Sequence, residues 1–343
     1  MVYTFELIKH PNVHYRDAVV ALSCCELVSM LRALNADCPV TAETAGGSRF
    51  LTFECRELSP KEISYLSGHS SVSLLAEKTK DGLLRPLDYQ PSGYLSDDLP
   101  EILKYKGKTS VPFTRMMINT AAALTHCKPE SGKMVFFDPV CGRGTGCFCA
   151  VCAGMDAVGM EQSSHDLQEA SGFFLRYLKF HHLKHQLVSR SETARKTSFP
   201  VSSITFADTK EHYREGNTRN LTLACGDTEL SPALLRRNPA HLIAADLPYG
   251  IQHAPRADRK PESLVSFLKR ALPAWKQSLY PGGVLALSYN TLTLPDAAVT
   301  AEVRSAGFIP FEEEIFSGLT HAVEQAVVRN VIFALNPEEE SSK

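Results

Sequence analysis

Four short stretches of this chain carry residue types that could do chemistry, and each follows an apolar run. The run His241–Ala245 leads into Asp246-Leu247-Pro248-Tyr249-Gly250. A carboxylate there can accept a hydrogen bond from an amino group. The proline fixes the backbone so that the neighbouring carbonyl points one way, and the tyrosine offers a flat face for a planar ring. Together these would hold the exocyclic amine of a base. Val135–Phe137 leads into Asp138-Pro-Val-Cys-Gly-Arg-Gly-Thr145. Gly142 and Gly144 let a ligand approach the backbone, and the turn opens a helix whose amide end attracts negative charge. No Lys-Ser/Thr pair follows, and the third glycine of a dinucleotide fingerprint is missing, so neither phosphate motif is met. Glu161 ends the next apolar run, about 20 residues past the glycine turn, a spacing that suits a ribose hydroxyl pair. Asp227-Thr228 follows Leu221–Cys225, and its carboxylate could accept the amino hydrogen of an adenine. Taken singly, each is also an ordinary turn or surface acid. Taken in order they fall at four successive strand ends, where open α/β sheets bind their ligands, and they describe one site.

The elements that must position these residues follow from the hydrophobic pattern. Strands are expected at Val135–Phe137, Asp156–Glu161, Leu221–Cys225, Leu242–Ala245 and Gly283–Tyr289, with two more near Glu313–Phe316 and Gln325–Leu335. Helices are expected from Thr114 to Leu124, Phe148 to Ala153, Ser164 to Phe180, Glu262 to Leu279 and Ala297 to Ala306. Alternating strands and helices imply a largely parallel sheet covered on both faces. Before it, residues 1–88 read as β-α-β-β-α-β, a small α+β (ferredoxin-like) domain, with a Pro-rich linker at 89–104. The Pro337–Lys343 tail is acidic and expected to be disordered.

Bulk composition narrows the function classes. With 343 residues, 44% hydrophobic and 22% charged, a packed soluble globule is expected. The formal charge of −2 gives no global signal for nucleic acid, so such a role needs a local basic patch. The start Met1-Val-Tyr-Thr-Phe-Glu lacks the basic and then apolar stretches expected of a signal peptide, no run of 18 apolar residues occurs, and the ten cysteines show no secreted framework. A cytoplasmic location without membrane contact is expected. Cys141, Cys147, Cys149 and Cys152 cluster, but three lie on an expected helix and cannot face one point, so they read as small apolar packing and no metal is assigned.

In these motifs the chain resembles class I S-adenosylmethionine-dependent methyltransferases. It is most similar to the RNA guanosine-N2 methyltransferase group, which includes the archaeal and eukaryotic enzymes that modify a tRNA guanosine. Asp138–Thr145, Glu161, Asp227 and Asp246–Gly250 match the ordered motifs, and Lys106–Arg115 is similar to the segment before that group's cofactor strand. The resemblance covers roughly residues 105–335, and no THUMP domain is recognisable before it. It implies a Rossmann-like, seven-stranded methyltransferase sheet over residues 105–336. It implies S-adenosylmethionine as cofactor, held by Phe113, Thr114, Asp138, Cys141, Gly142, Gly144, Thr145, Glu161, Asp227 and Thr228. Asp246, Pro248 and Tyr249 would receive the target amine and stack on the base. Leu247, where DNA adenine and glutamine methyltransferases commonly have proline, favours the guanosine-N2 branch.

A basic insertion near 183–220 interrupts this pattern. From Arg176 to Arg219 there are nine Lys/Arg against four acids, with Phe199, Phe206 and Tyr213 interleaved. Arg190, Arg195 and Lys196 are candidate RNA contacts, although a solvated hairpin extension has the same composition. The expected function is methyl transfer to an exocyclic base amine, guanosine N2 of tRNA or rRNA foremost. Transfer to a DNA adenine or cytosine amine or to a protein amide is the alternative, and a non-catalytic RNA-binding protein of the same fold is an alternative of another class. RNA is the expected partner. The N-terminal module could hold RNA or a protein, and the sequence sets no oligomeric state.

Overall fold

The structure is a computed structural model that describes residues 1–9, 13–89, 93–105, 107–129, 132–247, 256–257, 260–324 and 326–338. The first unit comprises β1 (Val2–Leu7), α1 (Val13–Ala33), β2 (Val40–Ala45), β3 (Ser48–Glu54), α2 (Pro60–Ser67), β4 (Val72–Lys78) and β5 (Leu84–Pro86). Its strands form an antiparallel sheet of order β2-β3-β1-β4-β5. Tyr3, Phe5 and Leu7 alternate along β1 and are buried with Leu51, Phe53 and Leu75. Ser59 caps α2 and receives Glu62 in return, a reciprocal capping box.

The chain continues through α3 (Leu99–Ile102), α4 (Val111–Leu124), β6 (Val135–Asp138), α5 (Thr145–Cys152), β7 (Asp156–Glu161) and α6 (Ser164–Phe180). It then forms β8 (His185–Ala194), β9 (Thr197–Phe206), α7 (Lys210–Glu215), β10 (Arg219–Cys225), α8 (Ser231–Leu235) and β11 (Ala240–Asp246). The last part holds the short pair β12 (Arg256–Ala257) and β13 (Lys260–Pro261), then α9 (Leu264–Ser278), β14 (Leu279–Asn290), α10 (Asp296–Ser305), β15 (Ile309–Pro310), β16 (His321–Glu324) and β17 (Val327–Leu335). The large sheet has the order β15-β17-β14-β11-β6-β7-β10-β9-β8, and β16 pairs with β17. The central five, β14-β11-β6-β7-β10, are parallel, and antiparallel strands flank them on both sides. This is an open, Rossmann-like α/β sheet.

The strand sequences explain why both faces are covered. Phe136 packs with the α4–α5–α6 side, and Phe137 packs with the α9–α10 side. Leu242 and Ala244 face the first side, Ile243 and Ala245 the second. Adjacent apolar residues pointing to opposite faces are what a fully buried strand requires, and each buried phenylalanine contributes about 2–3 kcal/mol.

Three expectations change. The sheet has ten strands where seven were expected, because the basic insertion is a β8–β9 hairpin added to the edge of β10 and because β16 joins β17. Glu314–Phe316 forms a 3-10 turn where a strand was expected, and the strand before β17 in that region is Ile309–Pro310. Apolar side chains at Ile315 and Phe316 give the same short signal in either conformation. The stretch expected as a linker, 89–104, carries α3 and buried Leu95 and Leu99, and Tyr94 packs edge-on to Phe206 with the Arg219 guanidinium 4.3 Å from its ring centroid. The acidic tail from residue 339 lies outside the described residues.

The two sheets share one core. Helix α1 packs between the first sheet and α4, which is why its residues are apolar on nearly all sides. Its fully buried Glu26 ties the layers. It accepts from Ser70 N at 2.7 Å, from Ser70 Oγ at 2.5 Å and from Asn119 Nδ2 of α4 at 2.7 Å. Truncating it strands these buried donors, so Glu26→Ala is expected to lower unfolding free energy by about 3 kcal/mol. A urea midpoint unchanged from wild type would refute this.

Candidate active site

The parallel core diverges between β6 and β11, since the chain proceeds outward from β6 through β7 and β10 and from β11 through β14. The carboxyl ends of strands at such a divergence leave a crevice. Here the crevice is a cavity of about 870 Å³. Its floor is the loop after β6, one wall is the end of β7, the other is the end of β11, and residues 105 and 107–109 before α4 close over it.

The loop is held open by its glycines. Gly142 and Gly144 adopt φ of +50° and +83°, a left-handed region that glycine enters without strain. A Cβ at Gly146 would lie 2.6 Å from Asp138 Oδ2, so the helix start must lack a side chain for the carboxyl to sit there. Asp138 is buried and accepts from Val140 N at 3.2 Å. Burial pushes its carboxyl up to about 8, and the nearby Asp246 and Glu161 charges push the same way. Glu161 accepts from Gly142 N at 3.1 Å and Ser163 N at 2.9 Å. Burial still raises it above the usual carboxylate range.

At the end of β11, Asp246 is fixed by its surroundings. Leu247 N donates to Ser288 O of β14 at 2.9 Å, Thr109 Oγ1 donates to Asp246 Oδ2, and Arg329 Nη2 of β17 lies 3.6 Å from the same oxygen. Asp138, Glu161 and Asp246 therefore face one cavity from three neighbouring strands. The two backbone amides fix the Glu161 carboxylate at the cavity wall.

Of the residues expected at this site, Thr114, Asp138, Cys141, Gly142, Thr145, Glu161, Thr228 and Asp246 line the cavity. Pro248 and Tyr249 lie outside the described residues. Phe113 is fully buried beneath the wall, where its ring stacks under Arg329, and Gly144 lies behind the loop against Phe148. Asp227 is turned to a structural task. It caps the 3-10 turn Thr228–Leu230, pairs with Arg270 at 2.7 Å and accepts from Gln162 Nε2 at 2.8 Å. Gly226 and Thr228 line the cavity on either side of it.

Several lining residues were missed in the sequence. Thr109 and Tyr105 precede α4, and the Tyr105 hydroxyl lies 2.7 Å from Thr145 Oγ1. The Arg143 guanidinium lies 5.2 Å from the Tyr105 ring centroid and pairs with Asp166 at 2.8 Å. Arg329 did leave a signal: it is the one charged residue in the apolar run Val327–Leu335.

Arg190, Arg195 and Lys196 stand apart from the cavity on the hairpin. The β9–β10 pairing ends at Val201 and Ala224, and β10 ends at Cys225, so Thr197–Phe199 continue past the end of β10 by about 10 Å. The tip residues Arg195 and Lys196 take φ of +48° and +64°, and Arg195 lies 3.3 Å from Glu229. Arg190 pairs with Glu192 at 3.0 Å. Thus the tip projects on the cavity side of the sheet, while Arg190 lies on the outermost strand.

Among the described residues no helix is long and apolar enough to cross a membrane. No family model matches the chain, and no curated protein sequence matches it. Its structure is similar to TrmN from Thermus thermophilus, at 16% identity and a TM-score of 0.40, over 87% of this chain and 60% of that one. It is similar to the rRNA methyltransferase AviRa from Streptomyces viridochromogenes at 12% identity and a TM-score of 0.42, over 70% and 92%. The T. thermophilus 16S rRNA N2 G1207 methyltransferase RsmC, solved with AdoMet and guanosine, gives 13% and 0.36 over 87% and 58%. This chain therefore spans about three fifths of the length of TrmN and of RsmC.

The raised Asp138 carboxyl has a measurable consequence. From the ordinary value of 3.8 up to about 8, the folded chain holds a proton that the unfolded chain gives up, so stability falls as pH rises through this window. Asp138→Asn lacks that proton exchange. Its stability relative to wild type is expected to rise by roughly 1 kcal/mol per pH unit across the window, measured by urea unfolding at several pH values. A constant difference would show that Asp138 is ionised in the folded protein.

Proposed function

We propose that this chain is an S-adenosylmethionine-dependent methyltransferase acting on an exocyclic amine of an RNA base, guanosine N2 foremost. The observation that carries this reading is the convergence of Asp138, Glu161 and Asp246 on one cavity where the parallel strands diverge. When bound, the cofactor supplies a methyl group on a positively charged sulfur. The acids suit its ammonium and sulfonium charges, Glu161 is oriented to accept from its ribose hydroxyls, and the loop at Gly142–Gly146 admits it closely. Asp246 accepts a hydrogen from the target amine and fixes the nitrogen's direction, so positioning supplies most of the rate. A paired base hides its amine, so the base enters splayed out of its helix.

The hairpin supports an RNA substrate. Its tip carries Arg195 and Lys196 beyond the sheet edge on the cavity side, where phosphates of a bound strand would pass. In this reading residues 105–336 form the catalytic unit and residues 1–88 a module packed against it.

Incubating the protein with methyl-labelled cofactor and separate RNA, DNA and protein pools tests this reading. Label recovered as N2-methylguanosine is expected, and label confined to DNA or protein would replace the substrate assignment. Asp246→Asn should lose transfer by at least 100-fold while calorimetry shows cofactor affinity within a few-fold of wild type; full activity in that variant would remove Asp246 from the site. Arg195→Glu with Lys196→Glu should weaken RNA binding and reduce its log–log salt slope by about 2. An unchanged slope would place the RNA elsewhere.

A further inference from the structure

We propose that Arg329 is a positioning residue of the acceptor site, which together with Thr109 holds the Asp246 carboxylate in one orientation beside a fixed positive charge. This inference rests on the methyl-transfer reading for its kinetic consequence, though its structural half does not.

Arg329 lies in β17, where its neighbours Val327, Val328, Val331, Ile332 and Phe333 are apolar. It is only 4% exposed. A guanidinium is rarely buried in such a strand unless something there needs its charge. Its charge faces the cavity wall: Nη2 is 3.6 Å from Asp246 Oδ2, and its flat face lies over the Phe113 ring at 4.6 Å from the centroid. The aromatic face stabilises the cation and fixes its plane without removing a donor. His321, opposite Arg329 in the β16–β17 ladder, is pushed down to about 4 by burial and the Arg329 charge. It is therefore neutral near pH 7 and does not compete for Asp246.

Thr109 and Arg329 approach the same oxygen, Oδ2, from opposite sides of the fold, one from the segment before α4 and one from the antiparallel edge of the sheet. Two contacts to one oxygen fix the rotation of the carboxylate about its Cβ–Cγ bond.

The comparison within the cavity shows why the charge matters. Asp138 and Asp246 end adjacent parallel strands, and Asp138 feels the charges of both Asp246 and Glu161. Burial drives Asp138 up to about 8. Among the described residues, groups facing Asp246 include Asp138 from β6, Thr109 from the segment before α4, His321 from β16 and Arg329 from β17. Lys108 and Glu324 stand farther along the wall. Among these described groups the arginine is both buried and cationic, and its charge lies against the Asp246 carboxylate.

The test uses the full chain labelled with [13C]aspartate, the Asp246 carboxyl resonance being assigned by its loss in Asp246→Asn. In Arg329→Gln the titration midpoint of that carboxyl should move up by about one pH unit or more, whereas Arg329→Lys should leave it near wild type. Thr109→Ala, which leaves the buried strand untouched, should move it up by a smaller amount and keeps the test alive if Arg329→Gln does not fold. An unmoved midpoint in Arg329→Gln, or in Thr109→Ala when it stands alone, overturns the proposal. These readings need no substrate, so they stand apart from any failure to find methyl transfer. With an RNA that accepts label, Arg329→Gln should lower kcat about 100-fold, shift the acid limb of the pH profile upward, and leave cofactor affinity within about threefold. Arg329→Lys should keep the limb and lose about 10-fold in kcat. Equal losses of kcat and cofactor affinity with an unshifted limb would show that Arg329 serves only packing.

Discussion

The structure depends on gathering negative charge where water is scarce. Three strand ends deliver a carboxylate each to one cavity, and like charges in a poorly hydrated space repel strongly. The fold answers each differently. Asp138 is left to hold a proton, Glu161 is given two backbone amides, and Asp246 is given a hydroxyl and a nearby arginine. A cationic ligand would relieve the first two and leave the third in place. In the proposed reading, the charge of the bound cofactor would offset part of the cost of assembling these acids.

The glycines and apolar runs that deliver these acids are local features, which is why the sequence shows them. Phe136 and Phe137, or Leu242 and Ile243, announce a strand covered on both faces, and the acid that follows each run marks the carboxyl end. Gly142 and Gly144 mark the turn that needs left-handed backbone. The parallel core and most of the acids around the cavity are legible for that reason.

What stayed hidden is what depends on partners distant in the chain. Asp227 has the same local setting as the other acids, but Arg270, 43 residues later, takes up its carboxylate. Thr109 and Arg329 reach Asp246 from 137 residues before it and from far along β17, and neither sits in a glycine turn or at a strand's carboxyl end. The hairpin shows the same limit from the other direction. Its basic composition was visible, yet β8 and β9 exist as strands because the open edge of β10 offers them a ladder. A local pattern cannot report an edge that only the folded sheet presents.

The joint between the two sheets acts as a mechanical linkage. Helix α1 lies against the first sheet on one side and α4 on the other, and Glu26 bolts it to Asn119. Helix α4 begins at Val111, two residues after Thr109, which touches Asp246. Helices α1 and α4 thus form one continuous packed path from the first sheet to the Asp246 carboxylate.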